Sequence, residues 1–497
     1  MLALTLTAVM LLPMGCALAI EDGYSSSYTY NYDYWGELRE SPDAYRVDQV
    51  IYSATLGLES PMRKPQSLFV QGDDLYVVDT GNNRILQLTR KDGDFTLTRI
   101  IDSVQGTEPS TFNTPGDVAV DAEGNLYVCD TNNNRIVKMD KDLNFLQAFT
   151  KPDDSTFDQK LSFLPNRLVV DSVGRVFALA TNVNKGLVKY EADGTFTGFI
   201  GANKVTYSMW DYIWKTFFTT KEQRAQQASF VPTEYENIYI DDEGFIYATN
   251  TVFSEYDLLY DNAKPIRRLN SIGDDILIKN DRYPPIGDLD WVEQSTADGP
   301  SKFKDITVLD NDIYIAVDRT RGRLFGYDPQ GIMLWAFGTK GNSEGAFLSA
   351  ISVEHIGKDL MVLDENESSI TVFTPTEYGE LIYKASDEYL RGDYDGSADT
   401  WREVLKLNAN YNLAFIGIGR ALMRQEQYED AMNYFKMAHD RENYGRAYRY
   451  WRKEWVERNI GWIVALVAAA LVIPVVVRRV KKMRWEVEAY EHRKIAK

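Results

Sequence analysis

Leu75-Tyr76-Val77-Val78-Asp79-Thr80-Gly81-Asn82-Asn83-Arg84-Ile85 returns about 50 residues later as Leu126-Tyr127-Val128-Cys129-Asp130-Thr131-Asn132-Asn133-Asn134-Arg135-Ile136. Pro65, Pro115 and Pro165 mark the same period. Working outward, each copy is preceded by a second apolar run and a turn of Asp-x-x-Gly type, as in Val118-Ala119-Val120-Asp121-Ala122-Glu123-Gly124. Two runs of β-branched and aromatic residues joined by such a turn define a hairpin. Further copies run from Leu168 to Leu179 and from Ile238 to Asn250, with weaker ones from Ile306 to Asp318 and from Ile351 to Asp364. A single hairpin cannot cover both of its apolar faces, so repeats of about 40–50 residues made of short strands close into a ring of blades. Second strands ending at Asp79, Asp130, Ala180, Asn250, Asp318 and Asp364 predict a mainly β fold, a six-bladed β-propeller over residues 45–380.

The strand-Asp-x-x-Asn-x-Arg-Ile pattern of the first two copies resembles the NHL-repeat family. Blades three and four depart from it by lacking the Asp, and Glu255 stands where the Arg would be. The resemblance is specific for fold and not for function. It implies a structural role for Asp79, Arg84, Asp130, Arg135, Asp318, Arg323 and Asp364. The carboxylates would accept hydrogen bonds from the turn that follows, and the guanidinium groups would tie one strand to the next. The alternative, a cationic ring for an anionic ligand, is weakened by Glu255 and Ser369 at equivalent positions.

Outside the ring, residues 1–19 form an apolar leader ending Ala17-Leu18-Ala19, a secretory signal pattern without an n-region cation. Cys16 would be the lipidated position if the leader were a lipobox, which Pro13 and Met14 fit badly. Residues 20–44 read as a Tyr/Ser-rich linker, and 202–230 as an inserted amphipathic helix with Trp210, Trp214, Phe217 and Phe218 on one stripe. After the ring a period of 34 relates Tyr394, Ser397, Trp401 and Val404 to Tyr428, Ala431, Phe435 and Ala438. This resembles two tetratricopeptide repeats over residues 381–445. A juxtamembrane helix, 446–459, leads to residues 460–477, which carry no charge and match the length of a bilayer crossing. The basic tail 478–497 begins Arg478-Arg479-Val480-Lys481-Lys482. Cations after an apolar run hold that end in the cytoplasm, so a single-pass, type I cell-membrane protein is expected, with its propeller extracytoplasmic.

Composition narrows the function. The formal net charge is −19, and the tail is basic, so the rest is more acidic still and ill suited to nucleic acid. Cys129 is the one cysteine beyond the leader, which excludes an intrachain disulfide and a thiolate metal cluster and favours bacterial export. Three histidines, of which only His355 lies in the ring, leave no histidine triad and no His-rich zinc site. No phosphate-binding loop or EF-hand loop is present, so no organic cofactor is expected.

The opening residues of each first strand face one mouth of the channel: Gln66, Asp117, Asn166, Arg167, Glu236, Asn237, Lys304 and Asp305. A converging polar set of this kind suits a small-ligand pocket or merely hydrates a channel. The expected function is a membrane-anchored binding or scaffold protein. It would recognise a peptide, a glycan or a partner protein, as part of a membrane complex such as a transporter. The alternative comes from resemblance to gluconolactonases, a metal-dependent hydrolase in which Asp117, Asn166, Glu236 and Asp305 hold calcium or another divalent ion.

Overall fold

The computed structural model describes residues 28–181, 183–201, 235–260, 263–279, 284–289 and 299–495. Two compact units divide the chain, Met1–Tyr383 and Lys384–Lys497. The first is a six-bladed β-propeller. Its innermost strands are Ser67–Gln71, Pro115–Val120, Pro165–Val170, Tyr235–Ile240, Phe303–Val308 and Ala350–Ile356. Each opens a sheet of antiparallel strands that runs outward in chain order.

The first hairpins of blades two, three and four share one turn. Asp121, Asp171 and Asp241 each accept the amide of the residue three further on, which is Gly124, Gly174 or Gly244. Their carboxylates accept the next amide, from Asn125, Arg175 and Phe245, at 2.8–2.9 Å. The three glycines sit at φ between 82° and 84°, a left-handed conformation that side chains resist. This local chemistry fixes the register of the strands that meet at the channel.

Between blades the sheets pack face to face. Leu68, Val77 and Leu86 of blade one share a core with Ile351, Met361 and Leu363 of blade six, which completes the ring. Val118 and Val128 pack on Val78 and Ile85, and Leu168 and Ala178 pack on Tyr127 and Cys129. Burying a Leu or Val side chain contributes about 1.5–3 kcal/mol, so each blade is held mainly by its neighbours. Blade six takes its outermost strand from Tyr45–Ile51, which pairs with Ser369–Pro375.

The N-terminal stretch departs from the linker expected over residues 20–44. Thr29–Tyr32 pairs with Met333–Phe337 at the outer edge of blade five, and Leu38–Glu40 adds beyond it. Tyrosines at 28, 30 and 32 alternate with polar residues, the period of a strand, and Tyr30 is only 1% exposed. Residues 1–19, the rest of the linker up to 27 and the insertion 202–230 lie outside the described residues.

After the ring come helices Glu377–Leu390, Tyr394–Leu407, Asn412–Arg424 and Tyr428–Met437. In the second unit, glycines admit aromatic rings. A Cβ on Gly417 would meet the Trp401 indole, and one on Gly419 would stand 2.6 Å from Phe435. Residues 441–495 then form one continuous helix, Arg441–Ile495, with no break at the expected boundaries 446, 460 and 478. Its charged stretches are rich in good helix formers, whereas the apolar stretch is rich in Val and Ile and carries Pro474 within the helix. It is long and apolar enough to cross a membrane.

Candidate ligand-binding channel

One residue of each inner strand forms a belt of polar side chains around the axis: Ser67, Asp117, Arg167, Asn237, Asp305 and Ser352. Ser67 donates its hydroxyl to Asp117 at 2.7 Å, and Asp117 accepts the Leu168 amide at 2.9 Å. Asn237 donates to Asp305. Asp305 also accepts the Ser352 hydroxyl at 2.6 Å and the Val353 amide at 2.9 Å. Ser352 in turn accepts the Leu68 amide of blade one at 3.1 Å. The belt thus stitches consecutive blades through buried charge-assisted bonds, which are stronger than neutral ones.

Arg167 reaches across it. Its guanidinium, 2% exposed, donates to the carbonyls of Gly116 and Gln66, belonging to blades two and one. Burial pushes the Asp117 carboxyl up against the opposing pull of Arg167. Asp305 is raised to about 6, again by burial, which outweighs its hydrogen bonds. The charge of a buried carboxylate is costly even with donors around it.

The predicted mouth residues therefore divide into two sets. Asp117, Arg167, Asn237 and Asp305 are buried in the belt. Gln66, Asn166, Glu236 and Lys304, each one residue before a belt position, are half-buried. Glu236 pairs with Lys304 and accepts the Thr251 hydroxyl at 3.1 Å, while Gln66 donates to Glu365 at 2.7 Å. The oxygens of Asp117, Asp305 and Glu236 are thus already engaged by protein donors. Among the described residues no group of three or more His, Cys, Asp or Glu is arranged to hold a metal ion.

The repeat residues hold the blades from outside. Arg84 donates to Asp79 at 2.7 Å and Arg135 to Asp130 at 2.9 Å, both pairs nearly closed to solvent. Each Asp also takes an amide from the segment entering its blade, Arg63 for Asp79 and Asn113 for Asp130. Each Arg reaches a carbonyl upstream, that of Ser60 or Pro109. Asp364 accepts the amides of Leu348 and Ser349, and Asp318 those of Lys302 and Thr320. Arg323 differs: it binds Asp288 at 2.6 Å. The Cys129 thiol lies in the core between blades two and three, and burial raises it well above its ordinary range.

On the other side of the belt the channel widens into a cavity of about 650 Å³. Its wall is made by the later residues of the inner strands and by the first hairpin turns, and ten carboxylates line it against one arginine, Arg175, and one histidine, His355. Several are neutralised locally: Asp121 by Lys138, Asp171 by Arg175 and Asp241 by Arg268. Glu354 is not. It is 9% exposed and its side-chain partner is the Thr307 hydroxyl, 3.3 Å away and closer, at 2.7 Å, to Nδ1 of His355. Burial first, then the charge of Asp305, raises the Glu354 carboxyl well above its usual range. Burial also lowers His355, against the pull of Asp310 and Asp242.

The residues singled out from the sequence lie at the start of these strands, and the cavity-lining residues further along them were not among those singled out. The missing signal was the strand period: two residues past Ser352 is Glu354, and four past Asp117, Arg167 and Asn237 are Asp121, Asp171 and Asp241.

Fold and channel together define a β-propeller with an acid-lined central cavity. Residues 112–139, spanning blade two, match the NHL repeat family. An 82-residue stretch is 37% identical to "NHL repeat-containing protein 3" of Homo sapiens, covering 16% of this chain and 22% of that protein. A stretch of 141 residues is 28% identical to the Mus musculus protein of the same name, covering 26% and 40%. The chain thus spans less than half the length of the curated relatives it matches. Among solved structures, "Streptogramin B lyase structure" aligns at 12% identity and a TM-score of 0.38, over 70% of this chain and 87% of that one. A putative gluconolactonase aligns at 11% and 0.40, over 68% and 94%. Neither likeness carries an activity across.

Proposed function

We propose that this chain is a membrane-anchored binding protein whose propeller receives its ligand in the acid-lined half of the channel. The cavity carries the reading: it is about 650 Å³, bounded on one side by the buried polar belt and lined by carboxylates, the form of a small-ligand or side-chain pocket. In this reading the helix Arg441–Ile495 crosses the membrane through residues 460–477, the basic segment after it stays in the cytoplasm, and the propeller lies on the opposite side. The helical pairs after the ring serve as tetratricopeptide-like docking elements for a partner in the same membrane complex. The small-to-aromatic packing of Gly417 on Trp401 and Gly419 on Phe435 supports that assignment.

The test is photo-crosslinking in intact membranes from a probe at Gln71 or Ala122 on the cavity wall, beside a control probe on the outer strand of blade one. Trapping of a ligand from the wall positions and not from the control is expected. Crosslinks confined to the outer blade edges would remove the cavity from the function. Protease protection of a tag at the C-terminus, with digestion of the propeller from outside, checks the topology.

A further inference from the structure

Residues 460–477 carry no charge on any face of their helix, but the segment after them is sided. In residues 478–490 four of the five large apolar side chains, Val480, Met483, Val487 and Tyr490, recur at alternate spacings of three and four. They fall within an arc of about 80° on the helix surface, and all four are exposed. Trp485, the fifth, lies opposite. The same spacing runs back into the apolar stretch through Val476, Ile473, Ala469, Leu466 and Trp462, with Pro474 on the opposite face. Because the helix is unbroken, Tyr490 stands about 20 Å beyond Val477 along its axis, past the reach of hydrocarbon.

Resting on the reading that residues 460–477 cross the membrane, we propose that this stripe is the seam of a parallel pair formed with a second copy of this chain. Alternate spacings of three and four are those of helices that wind around each other. β-Branched Val480 and Val487 take every second position, with Met483 and Tyr490 between them, the arrangement that favours two strands. Both copies enter the membrane in the same direction, so the pair is parallel and in register. Two heptads are too short to hold free peptides together, but the span has already formed and aligned these helices, which removes the cost of nucleation. The flanking charges temper the pair. Arg479 of one copy faces Arg484 of the other on each side of the seam. Both arginines are exposed, so this repulsion is screened and weakens the pair without preventing it, and association rises with ionic strength. Pairing puts two propellers on one tether, so a multivalent ligand meets the second as a linked neighbour.

The experiment places single cysteines in the full-length chain: Met483→Cys, Val487→Cys and Tyr490→Cys on the stripe, Lys482→Cys and Trp485→Cys off it. Copies carrying two different tags are co-expressed and oxidised in their membranes, and the parent chain, whose Cys129 is buried, sets the background. Disulfide-linked pairs bearing both tags are expected from the three stripe positions and not from the other two. Arg484→Glu turns the like-charge contact into an attractive one and should strengthen association about fourfold or more, read as the linked fraction at low expression. Equal linking all round the helix, no linking, or a fall with Arg484→Glu would each overturn the pair. Adducts of another mass, without the second tag, would give the stripe to a different membrane protein and overturn it too. A membrane-impermeant maleimide applied to intact cells tests the topology separately: Lys482→Cys should stay unlabelled. Labelling from outside would overturn the topology whatever the stripe does, whereas protection with no linking would overturn the pair alone.

Discussion

Tyr30 donates its phenolic proton to Asp288, 258 residues further along the chain, at 2.7–2.8 Å. Asp288 is fully buried and also accepts from Tyr32 and from Arg323, whose guanidinium lies 5.0 Å above the Tyr30 ring. The N-terminal strand is therefore locked to blade five by a buried ionic centre. Tyr30→Phe leaves Asp288 short of a donor and should cost about 1–3 kcal/mol. Asp288→Ala strands the Arg323 cation and should cost about 3–5 kcal/mol. Equilibrium unfolding of the two variants should rank them in that order.

The NHL-type pair of blade two behaves as a unit. Arg135→Met leaves Asp130 buried without its cation and should destabilise by about 3–5 kcal/mol. Adding Asp130→Asn should recover part of that loss, since Asn still accepts the Asn113 amide and carries no charge. A double-mutant cycle measured by denaturant unfolding checks the coupling; additive losses would show the two residues act separately.

Stability should fall as pH rises through the weakly acidic range. Asp305 holds its proton up to about pH 6 when folded, against 3.8 when unfolded. The folded state thus binds the proton more tightly, and that stabilisation, about 3 kcal/mol, is complete below pH 4 and lost by the time pH passes 6. Glu354 is raised as well, so it acts in the same direction. Glu354→Gln removes its share. Unfolding free energies of wild type and variant should converge near pH 4 and separate above it, with the variant the more stable.

Gly419→Val should unpack the helical unit. Its Cβ alone would approach the Phe435 ring to 2.6 Å, and a ring held in a core cannot swing aside. A loss of about 1–3 kcal/mol is expected, relieved by Phe435→Leu. Calorimetry of the full-length protein in detergent should show the propeller transition unmoved.

The ring was legible because it repeats. Aligned hairpins with Asp-x-x-Gly turns and the Asp79/Arg84 pattern carry their register in local chemistry. The strand Thr29–Tyr32 was less legible, since Tyr-x-Tyr-x-Tyr is both a composition bias and a strand period, and its partner lies about 300 residues away. The site was legible to the level of the strand. Asp117, Arg167, Asn237 and Asp305 stand at equivalent inner-strand positions, but which end of the channel they close depends on the reach of one side chain, Arg167, across three blades. No pattern in the sequence encodes that crossing.

Because the outermost strand of blade six is Tyr45–Ile51, a strand synthesised before blade one finds its place only when blade six is complete. Blades one to five can assemble as they leave the ribosome, while this strand waits with its edge unpaired until Ser369–Pro375 is made. Nascent chains shorter than that point carry an open ring and a free strand edge together, the combination most prone to wrong pairing between molecules. Premature termination before residue 375 should accordingly yield aggregates rather than a five-bladed remnant.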